Sequence, residues 1–95
     1  MKLYVLVRSD LTKSQSAVQA GHAVAEYLLH DSVTWRNTTL VYLGIKSLFQ
    51  LEKWMDKLEG LGIKYIPWKE PDINNEITAI ATTGSSELFK KLNLL

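Results

Sequence analysis

The chain has 95 residues, of which 46% are hydrophobic and 22% charged, and its formal net charge is +1 at pH 7. This composition predicts one ordered globular domain spanning residues 1–95 and excludes a disordered chain. The absence of cysteine excludes disulfides, thiolate metal ligands and cysteine nucleophiles. The small net charge means that any contact with nucleic acid requires a local basic patch.

The amino-terminal stretch MKLYVLVRSD contains only a short apolar run before Arg8 and Asp10. A signal peptide or a membrane span requires a longer apolar segment. We therefore expect a cytoplasmic protein that makes no membrane contact.

The first strand and the first helix are predicted on either side of a polar loop. Lys2–Val7 is apolar at nearly every position, as in a strand covered on both faces. Thr12 or Ser14 can cap a helix that begins near Ser14 and runs to about Leu29. Helical spacing places four polar side chains on one line of that helix, beside faces of small and apolar residues: Gln15, Gln19, His22 and Glu26.

The remaining elements follow from apolar runs and capping residues. A polar link through Trp35, Arg36 and Asn37 comes first. The pattern then predicts a second strand at Thr39–Gly44, a second helix from its cap Ser47 to Gly62, a third strand at Lys64–Trp68 placed at a sheet edge by Pro67, a polar turn at Glu70–Glu76, a fourth strand at Ile77–Thr82, and a last short helix capped by Ser85 or Ser86 and docked by Leu88, Phe89 and Leu92.

This order predicts an α/β fold, a three-layer sandwich around a four-stranded mixed sheet. Crossover helices give parallel pairs, and the short link before the fourth strand gives an antiparallel pair. Sites form outside the carboxyl ends of parallel strands. If the fourth strand lies antiparallel beside the first, the turn at Glu70 and the side chain of Thr78 approach the loop and helix that carry Asp10, Lys13, Gln19 and His22.

Each candidate residue has a functional and a structural interpretation. Lys13, near a helix N-terminus, can meet a phosphate or an oxyanion, or can simply be solvated. Glu70 and Asp72 can act as acid or base, or can form a solvated corner. Asp10 can be a turn residue, and His22 can be a hydrogen-bonded residue at the margin of the helix.

Two segments carry a family resemblance: R-S-D-L at residues 8–11 and A-V-Q-A-G-H-A at residues 17–23. They resemble the signature of the archaeal and eukaryotic type of peptidyl-tRNA hydrolase, in which R-x-D-L leads into a helix with A-A-Q-x-x-H-A. The resemblance extends in outline over the whole chain and is closer to a shorter branch with an E-P-D turn. It implies a sheet of order 2-1-4-3, a homodimer, tRNA as partner, and hydrolysis of the ester between a peptide and the 3′ end of tRNA without metal or cofactor.

The resemblance assigns residues one by one. Gln19 and His22 stand at the family's helix glutamine and histidine, Glu70 at or near its catalytic aspartate, and Thr78 at its strand threonine. Gln15 stands where the family has a catalytic lysine, and Lys13 lies two positions earlier.

We therefore predict water attack on an ester, with Glu70 or Asp72 orienting or deprotonating the water and Lys13 stabilising the oxyanion or contacting a tRNA phosphate. Asp10, Gln15, Gln19 and His22 are predicted to bind substrate, and Thr78 to complete the catalytic set. The alternatives are a catalytically degenerate RNA- or protein-binding module of the same fold, and an enzyme that acts on another small ester or amide.

Overall fold

The computed structural model describes residues 2–30 and 39–95, so the predicted link through Trp35, Arg36 and Asn37 lies outside the described residues. Neither helix of the described part is long and apolar enough to cross a membrane. In chain order the elements are strand β1 (Lys2–Arg8), helix α1 (Lys13–His30), strand β2 (Thr39–Ile45), helix α2 (Leu48–Gly60), strand β3 (Tyr65–Glu70), a one-turn 3-10 helix (Pro71–Ile73) and strand β4 (Glu76–Thr82).

The strands form one mixed sheet of order β2-β1-β4-β3. β1 runs parallel to β2, with Tyr4 opposite Val41, and β4 runs antiparallel to both β1 and β3. The parallel pair requires a crossover, which α1 provides, whereas the short turn after β3 gives an antiparallel pair. The predicted α/β class, the strand order and the antiparallel fourth strand are therefore confirmed, and Pro67 lies on the edge strand as expected.

One face of the sheet packs against α1. Leu3, Val5 and Val7 point to this face because alternate residues of a strand share a side, and all three are fully buried. They meet Ala20 and Ala23 of α1, which are also fully buried. These small side chains let the helix lie close to the sheet, which brings the polar residues on its margin near the strands.

The opposite face packs against α2. Tyr4 and Leu6 of β1 join Leu51 and Leu58 of α2 in a second buried cluster. Phe89, from the segment after β4, completes this cluster. Helices on both faces make the fold a three-layer sandwich.

Capping residues determine where both helices begin. Thr12 Oγ1 accepts the N–H of Gln15 at 3.2 Å, and Gln15 Oε1 accepts the N–H of Thr12 at 3.3 Å, which is a capping box. Ser47 Oγ accepts the N–H of Gln50 at 3.2 Å at the start of α2. The cap of α1 is thus Thr12 and not Ser14, and the helix begins at Lys13.

Gly62 terminates α2 through a left-handed backbone turn. Its φ is 69°, its N–H donates to the carbonyl of Glu59, and the N–H of Ile63 donates to the carbonyl of Leu58. This pair of hydrogen bonds is the Schellman motif, in which glycine avoids the clash that a Cβ makes at positive φ. The predicted role of Gly62 at the helix end is therefore present in the structure.

The predicted last helix is wrong. The chain after Ser85 forms successive turns, with the N–H of Leu88 donating to the Ser85 carbonyl and the N–H of Leu92 donating to the Phe89 carbonyl. A helix this short is marginal on its own. Docking dominates instead, because the buried Phe89 ring packs 5.0 Å from the ring of Tyr4.

Candidate functional site

Arg8, Asp10 and Glu76 form an ion-pair cluster where β1 ends and β4 begins. The Arg8 guanidinium donates to the two oxygens of Asp10 at 3.0 and 2.9 Å and to Glu76 Oε1 at 2.7 Å. Ser16 Oγ on α1 donates to the Arg8 carbonyl at 2.7 Å. The cluster therefore fixes the loop after β1 relative to both β4 and α1.

The charges of this cluster stabilise one another. Arg8 is only 7% exposed, and the hydrogen bonds to Asp10, opposed by burial and supported by Glu76, raise the pKa of Arg8 above its ordinary value. The hydrogen bonds from Arg8 hold the pKa of Asp10 below its ordinary value. Asp10 was predicted to bind substrate; the structure instead places both of its oxygens on Arg8.

Gln19 is held in one orientation by two donors. It is 4% exposed, and its Oε1 accepts from Thr78 Oγ1 at 2.7 Å and from Trp68 Nε1 at 2.9 Å. These bonds occupy both lone pairs of the carbonyl oxygen. Gln19 can therefore offer a ligand only the N–H groups of Nε2. Thr78, which was predicted to be catalytic, is fully buried and donates its hydroxyl to Gln19.

His22 stacks on the indole ring of Trp68. The ring centroids lie 4.4 Å apart and the planes differ by 8°. His22 is exposed and Trp68 is half-buried. A single side chain of the edge strand thus orders two polar residues of α1, Gln19 through its N–H and His22 through its ring face.

The E-P-D turn folds back on itself. Glu70 ends β3 and precedes the 3-10 helix Pro71–Ile73. Asn74 and Asn75 then adopt left-handed backbone with φ of 50° and 59°, a conformation that asparagine tolerates better than most residues. The N–H of Asn75 donates to the Glu70 carbonyl at 3.0 Å. This bond closes the turn and fixes the backbone that carries Glu70 and Asp72.

A cleft of about 360 Å³, here called the carboxylate cleft, lies between the start of α1 and the E-P-D turn. Its volume suits a small ligand or the end of a larger one. Carboxylates can accept a proton from water, and amide N–H groups can stabilise negative charge on a reacting oxygen. The cleft contains both kinds of group, since it is lined by Ser14, Gln15, Val18, Gln19, Glu70, Asp72 and Ile73.

Four of the eight predicted site residues line this cleft: Gln15, Gln19, Glu70 and Asp72. Lys13 lines a different groove, of about 410 Å³, with Ser9 and Leu11. The expected convergence of Lys13 with the acidic turn is not seen. Gln15 lines the cleft, and the side chain of Lys13, two positions earlier, points about 200° away around the helix axis. Among the described residues, no lysine or arginine lines the carboxylate cleft.

Sequence reasoning missed three residues that hold the site together, Arg8, Ser16 and Trp68. Ser16 stands three positions before Gln19, a spacing that places both on the same side of α1. Ile66 and Trp68 alternate with exposed Pro67 along β3, and both pack against the buried apolar residues between α1 and the sheet. These spacings were readable in the sequence, but the partner atoms depend on how β3 aligns with α1.

No protein-family model matches this sequence, and no curated protein matches it. A solved structure of a protein of unknown function from Agrobacterium tumefaciens is similar, with a TM-score of 0.72 over 99% of this chain and 96% of that one. The two sequences are 13% identical. This likeness shows the fold alone. The α/β architecture of this chain is therefore shared with that solved protein.

Proposed function

We propose that this protein hydrolyses the ester joining a peptide to the 3′ end of tRNA, in the carboxylate cleft. The observation that carries the proposal is that Glu70 and Asp72 share one cleft with the amide side chains of Gln15 and Gln19. The family resemblance of the R-S-D-L and A-V-Q-A-G-H-A segments supplies the substrate class.

The proposed reaction uses a carboxylate as general base. Glu70 or Asp72 accepts a proton from water as the water oxygen bonds to the ester carbonyl carbon. Gln19 Nε2 donates to the carbonyl oxygen as that oxygen becomes negative. The bond from this carbon to the tRNA ribose oxygen then breaks, and the proton passes from the carboxylate to the leaving ribose oxygen. The products are tRNA with a free hydroxyl and a peptide carboxylic acid, which ionises by releasing its proton to the solvent.

Two glutamines replace the cationic donor that the resemblance implies. Gln15 accepts the Thr12 N–H through its Oε1, so one polar atom of this side chain is already used in the helix cap. Its Nε2 remains the end that can donate to a ligand. An amide lacks the full charge of a lysine, so we expect slower hydrolysis than a lysine at this position gives, by about the 10²–10³ that one oxyanion donor contributes.

A binding module for RNA or protein is the second candidate. The observation that favours it is that the part of the chain described by the structure places no cation in the carboxylate cleft. Such a module would hold tRNA or another partner without breaking the ester. The two candidates differ in turnover and agree in fold.

The test is turnover of purified protein on an N-acetylated aminoacyl-tRNA and on the same tRNA with an unblocked amino acid. The proposal expects release of the N-acetylated amino acid at a rate well above spontaneous hydrolysis, and little release of the unblocked one. Binding of both tRNAs with no release above the spontaneous rate contradicts the proposal and favours the binding module. The homodimer and the cytoplasmic location remain predictions.

A further inference from the structure

Two grooves adjoin on the α2 side of the sheet. Their volumes are about 600 and 270 Å³. Both are lined by Trp54, Lys91 and Leu92, so they meet along these side chains. Together they form a continuous concave surface on the sheet face opposite to the one that packs against α1.

This surface is rimmed by lysine. Lys57, Lys90 and Lys91 line the larger groove, and Lys46 and Lys91 line the smaller one. We call these four residues the lysine surface. Of the described lining residues only Glu87 is acidic, and its carboxylate already pairs with Lys90. The surface therefore has a net positive charge in a chain whose overall charge is only +1.

Helix α2 contributes a lysine to the larger groove and directs one of its acids to another strand. Lys53 and Lys57 stand four positions apart on one line, and the Lys57 ammonium lies 4.9 Å above the Trp54 ring. On the side toward β3, Glu59 accepts the hydroxyl of Tyr65 at 2.6 Å. Burial, this bond and the charges of Glu59 and Asp56 raise the pKa of Tyr65 to about 12. Glu59 is thus directed to β3, and among the described residues no acid of α2 lines either groove.

We infer that the lysine surface binds the phosphate backbone of the tRNA whose acylated end enters the carboxylate cleft. This inference rests on the proposed function. A polyanionic substrate is repelled by Glu70 and Asp72, so its affinity must come from cations outside the cleft. Four lysines on one face supply such a field, and phosphate contacts by lysine position nucleic acid without reading its sequence.

The size of the protein permits this arrangement. The chain measures 30 × 25 × 22 Å, which is small compared with a folded RNA, so an RNA whose end lies in one cleft continues over other faces. Point-like ammonium groups on flexible stems suit phosphates along such a path. An acidic peptide is the competing ligand, because the grooves also have apolar side chains such as Leu88 and Leu92.

The test is binding of fluorescent deacylated tRNA over a series of salt concentrations, which involves no ester chemistry. The variant is Lys57→Ala with Lys91→Ala. The matched control is Lys2→Ala with Lys64→Ala, which removes the same charge from exposed positions outside the two grooves. We expect the Lys57→Ala, Lys91→Ala variant to bind tRNA more weakly. The slope of log K against log salt should become less steep by roughly 1.4 to 1.8, the value for two lost phosphate contacts. The control variant should change this slope by less than about 0.5.

If the groove variant and the control variant lose tRNA affinity and salt dependence equally, the inference is overturned, because the overall charge of the protein then explains the binding. A glutamate-rich peptide that competes with tRNA at equal charge and depends on the same lysines also overturns it, in favour of a protein ligand. The outcomes separate this inference from the proposed function. If the wild-type protein hydrolyses its substrate while both pairs bind tRNA alike, the surface assignment fails alone. If only the groove pair loses binding and no hydrolysis occurs, the surface assignment is supported and the hydrolase proposal fails.

Discussion

Gln19 Oε1 accepts the hydroxyl of Thr78 at 2.7 Å, in a buried hydrogen bond that joins α1 to β4. The second donor to the same oxygen is Trp68 Nε1 on β3. Residues of α1, β3 and β4 therefore fix the orientation of the Gln19 side-chain amide. Its carbonyl oxygen is fully used, so the amide can offer a ligand only its N–H groups. In the proposed reaction this preorganised donor replaces part of what a charged residue provides.

Trp68→Phe should lower kcat for peptidyl-tRNA by roughly tenfold, below the ~100-fold that a 1 Å misplacement of a reacting group can cost. The substitution removes the N–H donor to Gln19 and leaves an aromatic ring, smaller than the indole, beside His22. Hydrogen exchange of the Gln19 side-chain amide, followed by NMR, should become faster. Thr78→Val should act in the same direction and Thr78→Ser should not, since serine keeps the hydroxyl. Unchanged exchange and kcat in Trp68→Phe contradict the positioning role.

Lys13→Ala should leave kcat for peptidyl-tRNA within about twofold of wild type. Lys13 lines the groove with Ser9 and Leu11, away from Glu70 and Asp72. Removing an oxyanion donor costs 10²–10³ in kcat, so the two roles are easily distinguished. Steady-state kinetics measure the effect. A loss of two orders of magnitude with the fold intact would show that Lys13 enters the cleft when substrate binds.

Acid should remove the stabilisation that Asp10 provides. Its pKa is lowered from about 3.8 by the hydrogen bonds from Arg8, so the stabilisation is complete above that value and is lost as pH falls through the lower folded-state pKa. Asp10→Asn should therefore reduce the free energy of unfolding by about 1 kcal/mol at pH 7, the upper end for an ion pair whose carboxylate is partly exposed to solvent. Urea titrations should show this difference shrinking below about pH 4. A difference that stays constant from pH 7 to pH 3 contradicts the assignment, and Asp72→Asn, an exposed carboxylate outside this cluster, is the control.

Two glycines at the end of α2 should respond to alanine with opposite signs. Gly62 has φ of 69° and Gly60 is the last helical residue, and a Cβ at either position meets no atom within 4 Å. Gly62→Ala should destabilise the fold by about 1 to 2 kcal/mol through left-handed strain. Gly60→Ala should be neutral or stabilise it by up to about 1 kcal/mol, because alanine favours helix. Thermal unfolding compares them, and equal shifts in the same direction refute the strain argument.

The α/β class and the antiparallel pairing of β3 with β4 could be predicted because they follow from apolar runs and connection lengths, whereas the strand order was implied by the family resemblance. Lys2–Val7 is apolar at nearly every position, which indicates a central strand, and the short link before β4 indicates an antiparallel pair. Helical spacing placed Gln19 on a polar line at the margin of α1, whereas in the structure Gln19 is buried together with Ala20 and Ala23.

The direction of Lys13 and the bond from Trp68 to Gln19 could not be predicted in the same way. Whether Lys13 belongs to α1 depends on whether Thr12 or Ser14 caps the helix, and both residues cap well. The Trp68 bond depends on the β3–β4 register, which shifts between Trp68 and Lys69. The turns around Phe89 depend on a ring that docks between distant elements. Each outcome is decided by long-range packing and not by the local sequence.

In the proposed reaction, Glu70 or Asp72 activates the attacking water in the carboxylate cleft. The most direct test of this step is the single-turnover rate of N-acetylated aminoacyl-tRNA hydrolysis by wild type and by Glu70→Gln with Asp72→Asn, at saturating protein. The matched control is Glu52→Gln with Asp56→Asn, which removes the same charge from exposed positions of α2. The account predicts a loss of at least about 10²-fold in the cleft variant, as expected for a lost general base, and a control rate within about twofold of wild type. Equal rates for the cleft variant and wild type would contradict it.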